Sequence, residues 1–256
     1  MSLRNLYIIA GCNGAGKTTA SFNILPEMLS CREFVNADAI AAALSPFQPE
    51  KVAFEAGRIM LRCIDELLHA HGDFAVETTL ATRTYRNLIF RAREKGYKIT
   101  LLYFWLKSPE MAINRVKSRV EKGGHNIPEP VIRRRYKGGL ANLFGIYAEI
   151  CDVTLIYDNT FFRHELIATN QDLDQLMALN ETTMNEIKNT IQEPKNHYFT
   201  DHTKKIHEAL KASSRKLIEE TIRNGSHLVT WEDGGPKRIY ADELKRRRDA
   251  GLLDLD

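Results

Sequence analysis

The stretch Gly11-Cys12-Asn13-Gly14-Ala15-Gly16-Lys17-Thr18 constrains this chain more than any other. It reads glycine, four residues, then Gly-Lys-Thr, after the apolar run Leu6–Ala10 and before a helix-forming segment. Glycines so placed let backbone amides turn toward an anion without side chains in the way, and a helix starting there aims its positive end at the same anion. A turn that merely joins strand to helix needs neither the lysine nor the hydroxyl. Lys17 suits the outer phosphates of a nucleoside triphosphate and the Thr18 hydroxyl suits magnesium, which makes Gly11, Cys12, Asn13, Gly14, Ala15, Gly16, Lys17, Thr18 and Thr19 the candidate nucleotide-binding residues.

Such a loop requires a buried strand before it and a helix after it, and the chain repeats that alternation. Strand-length apolar runs fall at 6–10, 33–38, 74–79, 98–106 and 152–158, with helical patterns at 16–29, 49–71, 82–95, 108–122 and 130–149. Runs that are apolar at nearly every position fit parallel strands covered on both faces by helices, and the helical segments are long enough for the crossovers. The prediction is a three-layer α/β P-loop fold with a mainly parallel five-stranded sheet over residues 1–165. Residues 166–202 turn polar and include Pro194, which predicts a linker or helical arm. Ile206, Leu210, Leu217, Ile218 and Ile222 then share one helical face, and two strand-like runs flank Asp233-Gly234-Gly235, a hairpin signal. Residues 203–256 are thus expected to form a small α+β appendage.

A length of 256 residues with 43% hydrophobic content supports such a core. The 36 basic and 33 acidic residues nearly cancel, so no overall field demands nucleic acid or an anionic membrane, despite the local basic run from Lys245 to Arg248. No run approaches the roughly 18 apolar residues of a membrane span. The N-terminal apolar run enters the glycine loop rather than a cleavage site, and a cytoplasmic protein is expected. Cys12, Cys31, Cys63 and Cys151 lie far apart without paired spacing, reading as reduced thiols rather than a zinc site or disulfide framework.

A phosphate loop alone leaves GTPases, motor and transporter ATPases and small-molecule kinases open. The guanine-reading Asn-Lys-x-Asp stretch of GTPases is absent, as are the signature helix and the strand of four consecutive apolar residues ending in Asp that transporter ATPases need, which leaves a kinase of a small acceptor. Asp38, about twenty residues after the loop, is a candidate base for an attacking hydroxyl, or else a helix cap for the segment that follows. Glu77 stands near the carboxyl end of a buried run, where it would hold magnesium through water or bind an acceptor hydroxyl; Thr79 and Arg83 would orient the acceptor or its phosphates. Arg115 and Arg119 lie four apart on one helix, a Gly-Gly and two prolines follow, and Arg133, Arg134 and Arg135 sit on the next helix. This pattern reads as a lid whose arginines neutralise the charge of a moving phosphoryl group.

With these residues in hand the sequence resembles the zeta-toxin family of P-loop kinases, in its compact bacterial branch of predicted ABC-type ATPases or kinases. The resemblance rests on "AGCNGAGKTT", "NADAIAAALSP", "ETTLATRTY" and "RVEKGGHNIPEPVIRRRYKGGLANL" and spans about residues 3–160. It implies ATP and Mg2+, and transfer of the γ-phosphate to a hydroxyl of a sugar nucleotide such as UDP-N-acetylglucosamine or a similar acceptor. By position it implies a general-base role for Asp38, phosphate and magnesium roles for Lys17 and Thr18, acceptor roles for Glu77 and Thr79, and lid contacts for Arg119 with Arg133 or Arg134. Where larger members carry an arginine two residues after the pocket threonine this chain has Ala81, with Arg83 the nearest substitute, and its lid is shorter. The appendage is similar in style to the small proteins encoded beside such kinases, so antitoxin-like restraint by residues 203–256 or by a small partner protein is expected. An ATP-binding, ATP-hydrolysing switch without a small-molecule acceptor is the alternative reading.

Overall fold

The computed structural model describes residues 4–27, 29–161, 164–170, 176–180, 183, 201–232 and 235–253. Five strands, β1 (Arg4–Gly11), β2 (Glu33–Val35), β3 (Phe74–Thr78), β4 (Tyr97–Trp105) and β5 (Val153–Asp158), run parallel in the order β2-β3-β1-β4-β5. The register of β1 on β3 sets Ile9 beside Glu77 and Ala10 beside Thr78, so the glycine loop leaves the sheet next to the acidic end of β3.

Helices α1 (Lys17–Glu27), α2 (Ala37–Leu44), α3 (Ala53–Ala70), α4 (Tyr85–Glu94), α5 (Pro109–Glu121) and α6 (Glu129–Asn142) provide the crossovers. Alternate residues of a strand face opposite ways. Leu6, Ile8 and Ala10 therefore join Met60, Ile64 and Leu68 of α3 and Ile89 of α4 on one side. Tyr7 and Ile9 join Ile24 of α1 and Val116 of α5 on the other. Ser108 caps α5 by accepting a hydrogen bond from Met111 N, and Pro109 opens the helix where no amide proton is needed. After Asn142, α6 continues through a π-helical turn, Leu143–Tyr147.

The sheet extends beyond the five strands expected. β6 (Glu165–Thr169) and β7 (Met177–Ala178) add to it antiparallel, giving the order β2-β3-β1-β4-β5-β6-β7. An antiparallel strand needs only a short return, so β6 carries no helix to announce it, and its buried Leu166, Ile167 and Ala168 form too brief an apolar run to stand out. The expected start of a linker at residue 166 thus falls inside a strand; residues 171–175, 181–182 and 184–200 of that segment lie outside the described residues.

The C-terminal part comprises α7 (Asp201–Arg223), the hairpin β8 (His227–Glu232) with β9 (Gly235–Tyr240), and α8 (Ala241–Asp249). Its apolar helix face is buried on the loop-bearing domain: Ile206, Ala209 and Leu210 belong to the same core as Ile24 and Val116. Asn23 of α1 donates to Ser213 Oγ at 3.0 Å and accepts from Lys216 Nζ at 3.1 Å. The hairpin lies along α5, where Arg238 reaches Glu121 at 2.8 Å and Lys122 Nζ donates to the His227 carbonyl at 2.9 Å. Within the basic run, Arg246 pairs with Glu243, Arg247 with Glu232 and Glu243, and Arg248 with Glu219 and Asp249. No helix among the described residues is long and apolar enough to cross a membrane.

Candidate active site

The glycine loop is held by close packing as much as by its own turn. Gly11 (φ 140°) runs so near β4 that a Cβ there would stand 2.4 Å from the Phe104 carbonyl oxygen. Gly16 (φ 84°) leaves room for the Asn159 amide, which donates to the Ala15 carbonyl at 2.7 Å and fixes the loop from the end of β5. Only glycine takes both the backbone angle and the space. Lys17 is buried and its Nζ donates to the Cys12 carbonyl at 3.0 Å. Cys12 itself is buried, which pushes its thiol up to about 11 against the opposing pull of Lys17 and Arg115, so it stays protonated at neutral pH.

Glu77 is the meeting point of the site. Its Oε2 accepts from Thr18 Oγ1 and from Asn36 Nδ2, each at 2.8 Å, and its Oε1 lies 3.5 Å from Lys17 Nζ. The hydroxyl and the lysine of the loop thus converge on one carboxylate supplied by the neighbouring strand. Asn36 also caps α2, its Oδ1 accepting from Asp38 N and Ala39 N. The cap is therefore Asn36, while Asp38 stands in the first turn with an exposed side chain toward the same cavity as Glu77.

Thr79 and Arg83 do not line that cavity, and Arg83 is exposed at the entry to α4. They belong to a tight turn after β3 in which Leu80, fully buried, takes φ 58°. That backbone is unfavourable for a branched side chain and persists because its surroundings impose it. The Thr78 hydroxyl accepts from Leu80 N at 3.0 Å, Asn142 Nδ2 donates to the Leu80 carbonyl at 2.8 Å, and Tyr147 OH donates to the Thr82 carbonyl at 2.8 Å.

The arginines divide into three groups. Arg115 is fixed rather than poised: Nε donates to the Val229 carbonyl at 3.0 Å and Nη2 to the Thr160 carbonyl at 3.1 Å, while burial lowers its pKa to about 10, still cationic at neutral pH. Arg119 lines the cavity, donates to the His125 carbonyl at 3.3 Å, and keeps a buried Nε without a partner among the described residues. Arg133 is exposed and paired with Glu110, and Arg134 is exposed; neither lines the cavity. Arg135 instead donates to Asn13 Oδ1 at 3.1 Å, bringing α6 onto the loop. A run of three arginines fixes which helix carries the charge but not which of them faces inward.

The cavity between these elements has a volume of about 530 Å³. Loop residues Asn13, Gly14 and Gly16 to Thr19 line one part, Asn36, Asp38 and Glu77 a second, and Ser118, Arg119 and Lys122 of the α5 arm a third. Sequence reading missed its other contributors: Asn159 and Phe161 after β5, and Ser213, Leu217, His227 and Leu228 from the C-terminal part. His227 Nε2 and Ser118 Oγ share a hydrogen bond of 2.7 Å across the two. These residues carry no motif, and only the packing of α7 and the hairpin on α1 and α5 brings them to the cleft.

Among known proteins, an uncharacterised protein of Haemophilus influenzae is 31% identical over 127 residues, spanning 49% of this chain and 88% of the relative. A chain in the crystal structure of AvrRxo1-ORF1:AvrRxo1-ORF2 with sulphate ions superposes with a TM-score of 0.60 at 15% identity, covering 83% of this chain and 80% of that one. The PezAT toxin–antitoxin system of Streptococcus pneumoniae gives 0.53 at 17% identity over 85% and 89%. At those identities the likeness is one of fold. The family model that matches is that of the zeta toxin, over residues 4–163. The chain belongs to the zeta toxin family and is a phosphotransferase, a kinase that uses ATP.

Proposed function

We propose that this kinase transfers the γ-phosphate of ATP to a hydroxyl of a sugar nucleotide of the UDP-N-acetylglucosamine type. The observation that carries the reading is the convergence of Lys17 and Thr18 on Glu77, with Asp38 facing the same cavity. In this reading the loop amides and Lys17 bind the β- and γ-phosphates. The Thr18 hydroxyl and Glu77 carboxylate, 2.8 Å apart, are hard oxygen donors that fit Mg2+. Among the described residues no cluster of three or more His, Cys, Asp or Glu forms a metal cage, which suits an ion held by few protein oxygens together with substrate phosphates. Bound there, Mg2+ would offset the negative charge of the phosphates.

Asp38 takes the proton of the acceptor hydroxyl as that oxygen bonds to the γ-phosphorus and the bond from phosphorus to the β–γ bridging oxygen breaks, leaving ADP. Arg119, with its unpartnered Nε, and Arg135, on the loop, supply positive charge around the transferring group. Thr79 and Arg83 shape the acceptor loop from outside the cavity. Restraint of an antitoxin kind comes from the chain's own residues 203–256 or from a separate small protein.

Incubating the protein with ATP, Mg2+ and a panel of UDP-sugars, nucleosides and nucleotides, then weighing products by mass spectrometry, tests the transfer. The expected result is one acceptor heavier by one phosphoryl group, lost with Asp38→Asn while ATP binding is kept. No phosphorylated product from any acceptor removes the proposal. ATP hydrolysis that Asp38→Asn leaves unchanged favours the alternative, an ATP-driven switch.

A further inference from the structure

Phosphate chemistry does not explain the apolar side chains in the cavity wall, several of which come from the C-terminal part of the chain. Lys17 and Thr18 both turn toward Glu77 on β3, which sets the outer phosphates on that side of the loop. In the sheet order β2-β3-β1-β4-β5, the segment following β5 lies on the other side of β1. A nucleoside extending away from Glu77 therefore runs toward Asn159 and Phe161. There Arg115 bridges the Thr160 and Val229 carbonyls, holding β8 against the end of β5. Phe161, Leu228 and Val229, at or next to those carbonyls in sequence, line the cavity, as does Leu217 of α7.

We infer that the C-terminal module supplies the wall against which the base of the nucleotide lies. This rests on the reading of the loop as an ATP site and adds the residues that recognise the other half of the ligand. The module roofs the cleft without filling it: with α7 and the hairpin in place the space is still about 530 Å³, within the roughly 300–1,000 Å³ of small-molecule sites. A planar heteroaromatic ring suits a slot walled by an aromatic ring and aliphatic side chains, and Ser213 and His227 add polar groups to the lining.

Leu217→Ala and Leu228→Ala, singly and together in the full chain, test the inference through two ligands, ATP and inorganic tripolyphosphate, each titrated by calorimetry with Mg2+. Tripolyphosphate carries the phosphate chain without the base. The expected result is a loss of ATP affinity of roughly tenfold per leucine with tripolyphosphate affinity unchanged. Equal loss for both ligands would mean a general disturbance and overturn the inference. Equal gain for both would mean that the module obstructs the loop, and overturn it likewise. Unaltered ATP affinity in the variants also overturns it. A wild-type chain that binds neither ligand would instead overturn the ATP site itself.

Discussion

Asn36 Nδ2 donates to Glu77 Oε2 at 2.8 Å, while Asn36 Oδ1 accepts the amides that open α2. One side chain thus locks the carboxylate beside Lys17 to the helix that carries Asp38. Asn36→Ala removes both bonds: the lost cap is expected to cost about 1 kcal/mol of stability, with a fall in phosphoryl transfer beyond that. Asn36→Asp keeps the cap acceptor but sets carboxylate against carboxylate, so activity should fall while α2 stays capped. Denaturant unfolding together with steady-state rates checks both, and an Asn36→Asp enzyme as active as wild type would disprove the coupling.

Arg135 and Arg134 are neighbours with opposite surroundings, one on Asn13 of the loop and the other in solvent. Arg135→Ala should weaken ATP binding about tenfold, as loss of a charge-assisted phosphate contact does, and Arg134→Ala should leave it nearly unchanged. Calorimetric titration of ATP into each variant decides the matter; equal effects would show that the inward arginine has been misassigned.

The fold was largely legible because its signals are local. The run at 74–79 is β3 at Phe74–Thr78, and that at 98–106 is β4 at Tyr97–Trp105. Burial on both faces leaves such strands apolar over most of their length. The run at 33–38 is extended only over Glu33–Val35, since Asn36 ends the strand by capping α2. In the site, Lys17, Thr18 and Glu77 could be found because a strand end or a loop motif fixes where they point. Asn159, Leu228 and His227 could not: each reaches the cleft only through tertiary packing, from segments whose own sequence is ordinary, and Arg135 likewise meets the loop only through Asn13. Arg115 lines the same cavity as Arg119, but its anchoring by the Thr160 and Val229 carbonyls could not be read from the spacing of the two arginines.

His227 makes the docking of the hairpin pH-dependent. Burial, with Lys122 and Arg238 close by and Glu121 opposing, lowers its pKa, so the folded chain keeps it neutral where the unfolded chain takes a proton. More protons bound in the unfolded state means stability that is present above the ordinary histidine range and is lost as pH falls through it. The protection of β8 amides, the intrinsic exchange rate at each pH divided by the observed one, should fall as the pH drops from about 7.5 to 5.5, and His227→Gln should flatten that slope. Identical slopes in the two proteins would assign the effect to another group.

Two glycines should respond in opposite directions to alanine. A Cβ on Gly139 of α6 would stand 2.6 Å from the Thr79 carbonyl oxygen and 3.1 Å from Tyr103 OH, so Gly139→Ala should destabilise by about 1–3 kcal/mol and shift the turn after β3. Gly57 in α3 has nothing within 4 Å of that position, and Gly57→Ala should stabilise by roughly 0.5–1 kcal/mol. Chemical denaturation of the two variants measures both, and a stabilised Gly139→Ala would contradict the contact.

The seven-stranded sheet ends on β2, three residues long, and on β7, two residues long. Unpaired amides and carbonyls at the margin of a sheet are a template on which another chain can add a strand, and long flat margins aggregate. Here each margin is too brief to nucleate such pairing, while the long, mostly apolar β4 is kept three strands from one margin and three from the other. The antiparallel return of β6 and β7 thus shields the most adhesive part of the chain from its own copies.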